Sequence, residues 1–102
     1  MDMKAMMRQA QKMQAELAKA QEEIKTMKFE GSAGGGMVKA VATGEMTIES
    51  VKIEKIIVDP DDIDMLEDMV TAAVNEALRG VAEMSSQRLS SATGGMNIPG
   101  LM

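Results

Sequence analysis

A chain of 102 residues with 16 acidic against 11 basic side chains, a net charge of −5, forms one domain at most. It has neither Cys nor His, which excludes disulfide frameworks, thiolate chemistry and the usual zinc and proton-transfer ligands. No apolar run approaches the 18 or so residues of a membrane span, and the N-terminus lacks the apolar stretch of a signal peptide, so a cytoplasmic location without membrane contact is expected.

Residues 3–28 predict one long helix. Met3, Met6, Ala10, Met13, Leu17, Ala20, Ile24 and Met27 alternate in gaps of three and four, the seam of a coiled coil. Most of the remaining positions are Gln, Lys, Glu and Ala, all good helix formers. At ~1.5 Å per residue such a helix approaches 40 Å, longer than the roughly 33 Å breadth of a compact domain of this length. It therefore protrudes or lies along another long helix, and the seam needs a partner in either case. With 13 Met and Phe29 as the only aromatic residue, the core must be filled by Met and Ala. Such a core is thin for a monomer and suggests one shared between two chains.

Residues 28–58 predict two or three antiparallel strands. Phe29 to Gly31 is short, Ser32 to Gly36 is a flexible connection, Met37 to Thr43 is β-prone, and Gly44-Glu45 is a turn. Residues 46–58 alternate Val51 and Ile53 with Lys52 and Glu54 before Ile56-Ile57-Val58. Asp59-Pro60 predicts the start of a second helix, with Asp as cap and Pro first inside, and Asp61, Asp62 and Asp64 suit its positive end. Its stripe of Ile63, Leu66, Met69, Val70, Ala73, Val74, Ala77, Val81 and Met84 is wide enough to meet both a sheet and another helix. The helix is expected to end near Leu89, giving a domain over residues 1–89 and an irregular, flexible tail over 90–102.

The motifs offer little chemistry. The GSAGGG run is followed by Met37-Val38 rather than by Lys-Ser/Thr and a helix, so it reads as a strand connection and not as a phosphate loop. The acids from Asp59 to Asp68 lack the Gly of a calcium loop, with Ile63-Asp64 where Asp/Asn-Gly belongs, and they read as helix-start charge. No carboxylate pair is marked as acid and base. Neither an enzyme, a cofactor, a metal nor a small-molecule substrate is expected. The seam reads as core or dimer interface, with Met6, Met13, Leu17 and Ile24 as candidate interface residues, rather than as a lipid face, which would want Trp or Phe.

Charge is unevenly placed. Residues 1–28 hold six basic and four acidic side chains, and residues 29–102 hold five and twelve. Lys4, Arg8 and Lys12 recur every four residues off the seam, and Lys19 continues on that side. By charge pattern alone they read as a solvated helix surface, and only resemblance to a DNA-binding family would make them candidate DNA contacts. There is no aromatic interleaving and no helix-turn-helix or zinc signature.

The order of parts resembles one family. MRQAQKMQAELAKAQEEI, FEGSAGGGMVKA, the Asp59-Pro60 step, MLEDMVTAAVNEALR and the ending GGMNIPGLM together resemble the bacterial YbaB/EbfC family over residues 3–102. That resemblance implies an α+β fold of order α-β-β-β-α, with a small antiparallel sheet and two long helices, in an intertwined, tweezer-like homodimer. It also implies double-stranded DNA as partner, association with the nucleoid, and roles in DNA conformation, gene regulation and DNA protection. The competing expectation is a dimeric adaptor for replication or recombination proteins that does not touch DNA.

Overall fold

A computed structural model describes residues 2–94. The chain runs α1 (Met3–Lys25), β1 (Lys28–Ala33), β2 (Val38–Thr43), β3 (Ile48–Ile53), a single 3₁₀ turn (Lys55–Ile57) and α2 (Ile63–Ala92). The strands form one antiparallel sheet in the order β1-β2-β3, so the expected α-β-β-β-α order is present. The chain is elongated, 71 × 21 × 17 Å with a radius of gyration of 19.4 Å, against roughly 13 Å for a compact chain of this length.

The centre is the contact between β2 and α2. Alternation puts Val38, Ala40 and Ala42 on one face of β2, and helical spacing puts Ala73, Ala77 and Val81 on one stripe of α2; all six are fully buried. Small side chains let strand and helix approach closely, most of all at Gly31. A Cβ there would lie 2.5 Å from the Ala73 carbonyl oxygen and 2.9 Å from the Ala77 Cα. Phe29 packs over Gly80 in the same way. The Ala half of the predicted core is as expected, whereas the Met half is not. Met27 and Met69 line the margin, while Met3, Met6, Met7 and Met46 are exposed.

Several boundaries differ from those the sequence suggests. The glycine turn begins at Gly34, after Ser32 and Ala33 have paired with Lys39 and Val38 in the sheet. Gly34, Gly35 and Gly36 all have positive φ, a conformation that costs glycine nothing. Residues 54–58 leave the sheet, the 3₁₀ turn taking Ile56 and Ile57 out of the strand. Asp59-Pro60 makes a turn instead of opening the helix. The Asp59 carboxylate accepts from the Asp61 N–H at 2.9 Å and its carbonyl from the Asp62 N–H at 3.0 Å. Asp62 is the actual cap, accepting from the Met65 N–H at 3.3 Å. The helix then continues to Ala92, beyond the expected end at Leu89. The tail expected over 90–102 thus begins as helix, and its residues 95–102 lie outside the described residues.

The turn after β2 holds a strained residue. Met46 has φ +62°, the left-handed region, although it carries a Cβ. Its N–H reaches the Thr43 carbonyl at 2.9 Å, and the Thr43 N–H reaches Thr47 at 2.9 Å. The Met46 side chain is largely exposed, so little burial offsets the strain. Met46→Gly is expected to stabilise the protein by about 1 kcal/mol, raising the melting temperature by roughly 4–8 °C in a domain this small. Thermal melting followed by far-UV circular dichroism reads this directly.

Candidate nucleic-acid interface

The helix α1 packs against α2 over only part of its length. Ala20 is fully buried, Met13, Leu17 and Ile24 are half-buried, and residues 2–12 are all exposed. The predicted seam therefore has a partner for its C-terminal half within the same chain, and its N-terminal half projects as an arm. Asp2 starts the arm by accepting from the Lys4 N–H at 3.0 Å. At the other end, the Met27 carbonyl accepts from the Gly44 N–H at 3.0 Å, which pins the helix to the β2–β3 turn. Of the four candidate interface residues, Met6 lies on the arm, and the other three lie on the stretch that meets α2.

The candidate DNA contacts all survive as exposed side chains. At about 100° per residue, Lys4, Arg8, Lys12 and Lys19 fall within an arc of roughly 80° on the side of α1 away from the seam. All four are solvent-exposed. Of the other cations, Arg88 is engaged: its Nε donates to the Glu23 carboxylate at 2.5 Å, tying α2 to α1. That hydrogen bond holds the Glu23 carboxyl below its ordinary value of 4.5 and raises the Arg88 guanidinium. The sign follows: the contribution of Glu23 to stability is complete above pH 4.5 and is lost as pH falls through the lower folded value. Glu23→Gln is expected to remove that part of the acid sensitivity, visible as a flatter dependence of the melting temperature on pH below 4.5. Lys39 and Lys52 face one another across β2 and β3, on the sheet face away from α2.

A second feature stands apart from the arm, and the sequence pattern alone did not single it out. Val51 and Ile53 pair with Ala40 and Val38 and so share the face that α2 covers, yet they stay exposed while Ala40 and Val38 are fully buried. Val51 is 41% exposed, Ile53 36%, Ile56 84%, Val58 50% and Ile63 46%. Val51 and Ile53 belong to β3, an edge strand with one side unpaired, and the other three follow it in the chain.

Among the described residues, no group of three or more Asp or Glu side chains converges as a metal site, and no helix is long and apolar enough to cross a membrane. The family model of the YbaB/EbfC DNA-binding family matches residues 1–96. The chain belongs to that family. A nucleoid-associated protein of Thermoanaerobacter pseudethanolicus is 52% identical over 96 residues, covering 94% of this chain and 86% of that protein. One from Alkaliphilus metalliredigens is 46% identical over 100 residues, covering 98% and 88%. In fold, the chain matches the crystal structure of an uncharacterized protein from Helicobacter pylori with a TM-score of 0.70 at 21% identity, covering 93% of this chain and 99% of that one. The YbaB/EbfC family is described by DNA binding and not by a catalysed reaction, which agrees with the sequence expectation that the chain is not an enzyme.

Proposed function

We propose that this chain is a nucleoid-associated protein that binds double-stranded DNA as a homodimer, through phosphate contacts and with little sequence preference. The observation that carries the proposal is the arc of Lys4, Arg8, Lys12 and Lys19, exposed along a helix whose N-terminal half projects from an acidic body. Membership of a DNA-binding family and relatives named as nucleoid-associated proteins support it. Phosphate contacts position a protein without reading bases. The arm lacks a set of base-reading side chains, although Gln9, Gln11 and Gln14 are within reach of occasional contacts. The acidic body repels DNA and confines contact to the arms. By the same proposal the protein works on the bacterial nucleoid in the cytoplasm, altering DNA conformation, regulating expression and protecting DNA.

The homodimer has its own support. An unpaired edge strand flanked by Val51, Ile53, Ile56, Val58 and Ile63 is the kind of surface that soluble proteins cover, and a second copy brings an identical surface. Met13, Leu17 and Ile24 then act mainly within each chain, holding arm to body, and Met6 remains free on the arm. Light scattering coupled to size exclusion should report about twice the 10.9 kDa chain mass, and Val51→Asp with Ile53→Asp should return the monomer, because a carboxylate buried without a partner costs several kcal/mol.

The decisive test is a gel shift with duplex DNA across a salt series. With roughly 4–6 phosphates neutralised, log K should fall against log salt with a slope of about −4 to −5. The net charge of −5 favours a protein-interaction adaptor, and absence of binding at low salt decides for that reading.

A further inference from the structure

We infer that the methionine face of the arm is a second self-association surface, through which the arm of one molecule pairs with the arm of another. Met3 is 75% exposed, Met7 60% and Met6 50%, and with Ala10 they line a shallow apolar hollow of about 270 Å³. Three large apolar side chains grouped at the end of a projecting helix, with no described residue covering them, are not accounted for by folding of the chain. The phosphate-binding arc does not use them either, since its centre lies about 150° away around α1, with only Lys4 near their border.

Two observations fix the occupant as another copy. The first is continuity. The same alternation of three- and four-residue gaps runs through all of α1; its C-terminal half already serves a helix–helix contact with α2, where Ala20 is fully buried. The N-terminal half repeats that pattern and presents it outward, so what fits it is a helix with a like stripe, and the arm of a second copy is one. The second is charge. At about 100° per residue, every charged side chain within residues 3–14 lies about 110° or more from the centre of the methionine stripe; Gln11 flanks it, and Gln14 continues it one turn beyond Ala10. Two arms can therefore pair without bringing like charges together, their cations turned outward on both sides. An anionic bilayer would favour lysines at the border of the apolar face, where they snorkel to the headgroups, and Trp or Phe within it; here only Lys4 borders the face, Arg8 and Lys12 lie about 150° and 170° from its centre, and residues 2–12 carry no aromatic side chain.

The patch is small beside the roughly 1,200–2,000 Å² of a stable interface. The contact is accordingly weak in dilute solution and becomes effective where copies are concentrated along one duplex, by raised local concentration. This consequence rests on the proposed DNA binding; the pairing itself does not.

Sedimentation equilibrium without DNA tests the pairing alone. From micromolar to near-millimolar concentration, the wild-type average mass should rise beyond its low-concentration value. Met3→Gln, Met6→Gln and Met7→Gln combined should hold that value throughout, while the corresponding Leu triple variant should associate at least as strongly. Gln and Leu are both good helix formers at exposed sites, so the helix is retained in each. A wild-type mass that stays constant, or a Gln variant that associates like the wild type, overturns the inference. So does co-sedimentation with phosphatidylglycerol vesicles that the Gln variant loses while the wild-type mass stays constant. On long duplex DNA, binding isotherms should show a Hill coefficient above 1 for the wild type and of about 1 for the Gln variant, at equal affinity on a duplex that holds one molecule.

Discussion

Replacing Lys4, Arg8 and Lys12 together by Ala is expected to weaken binding to duplex DNA by about two to three orders of magnitude at ~0.1 M salt, equally for all sequences. In the proposed homodimer both arms lose these side chains, six of eight arm cations, so the salt slope should flatten from about −4 or −5 to about −1. The loss is electrostatic and not structural. All three side chains are exposed and none lies on the face of α1 that meets α2, and Ala is the strongest helix former. The oligomeric state and the melting temperature should therefore be unchanged. Lys39→Ala with Lys52→Ala supplies the control: it also removes positive charge, but from the body, and should leave the slope nearly as it was. If the triple variant keeps the wild-type slope, the DNA site is not on the arm, and Lys39, Lys52 and Arg79 become the next candidates. Arg88 falls behind them because Glu23 already engages it.

The largest expected effect on stability comes from a position with no charge and no side chain. Gly31→Val should cost more than about 3 kcal/mol, a large share of the roughly 5–15 kcal/mol that holds a domain together. Overpacking a core typically costs 1–3 kcal/mol when neighbouring side chains can yield. Here the obstruction is backbone, the Ala73 carbonyl and the Ala77 amide and Cα, and backbone in mid-helix cannot yield locally. α2 must lift from β1, and the stripe of Ala73, Ala77 and Val81 loses its fit to Val38, Ala40 and Ala42. Urea unfolding followed by circular dichroism measures it, with the exposed neighbour Ser32→Ala expected to stay within about 0.5 kcal/mol of wild type. An unchanged midpoint for Gly31→Val would mean that the helix does not sit as closely on the sheet as described.

The legibility of these features varied with the physics behind each. The period of α1 was written in eight apolar positions, seven of which lie on the helix; it stops at Lys25, short of the expected residue 28, and leaves Met27 in the link to β1. The exposed basic arc followed from the same period. The start of α2 was misplaced by three residues because Asp followed by Pro suits a turn as well as a cap, and only the hydrogen bonds of Asp59 and Asp62 separate the two. Residues 54–58 looked like strand because Ile56-Ile57-Val58 is β-prone by composition, a preference overridden by the 3₁₀ turn that Ile56 and Ile57 join. Gly31 gave no sign of its importance, since contact with α2 is a property of tertiary packing. Which half of the seam would find a partner inside the chain was likewise decided by where α2 runs.

The open side of β3 has a consequence for newly made chains. If the proposed homodimer forms across this edge, a folded chain that has not yet paired presents a bare strand, and the run VKIEKIIV is rich in the residues that stack into cross-β aggregates. The charged residues Lys52, Glu54 and Lys55 punctuate that run, and Glu49 flanks it, as gatekeepers against such stacking. Correct pairing and aggregation compete for the same exposed edge. Neutralising the gatekeepers should raise inclusion-body formation on overexpression while leaving the finished protein nearly as stable as before, a burden borne during synthesis and not in the assembled state.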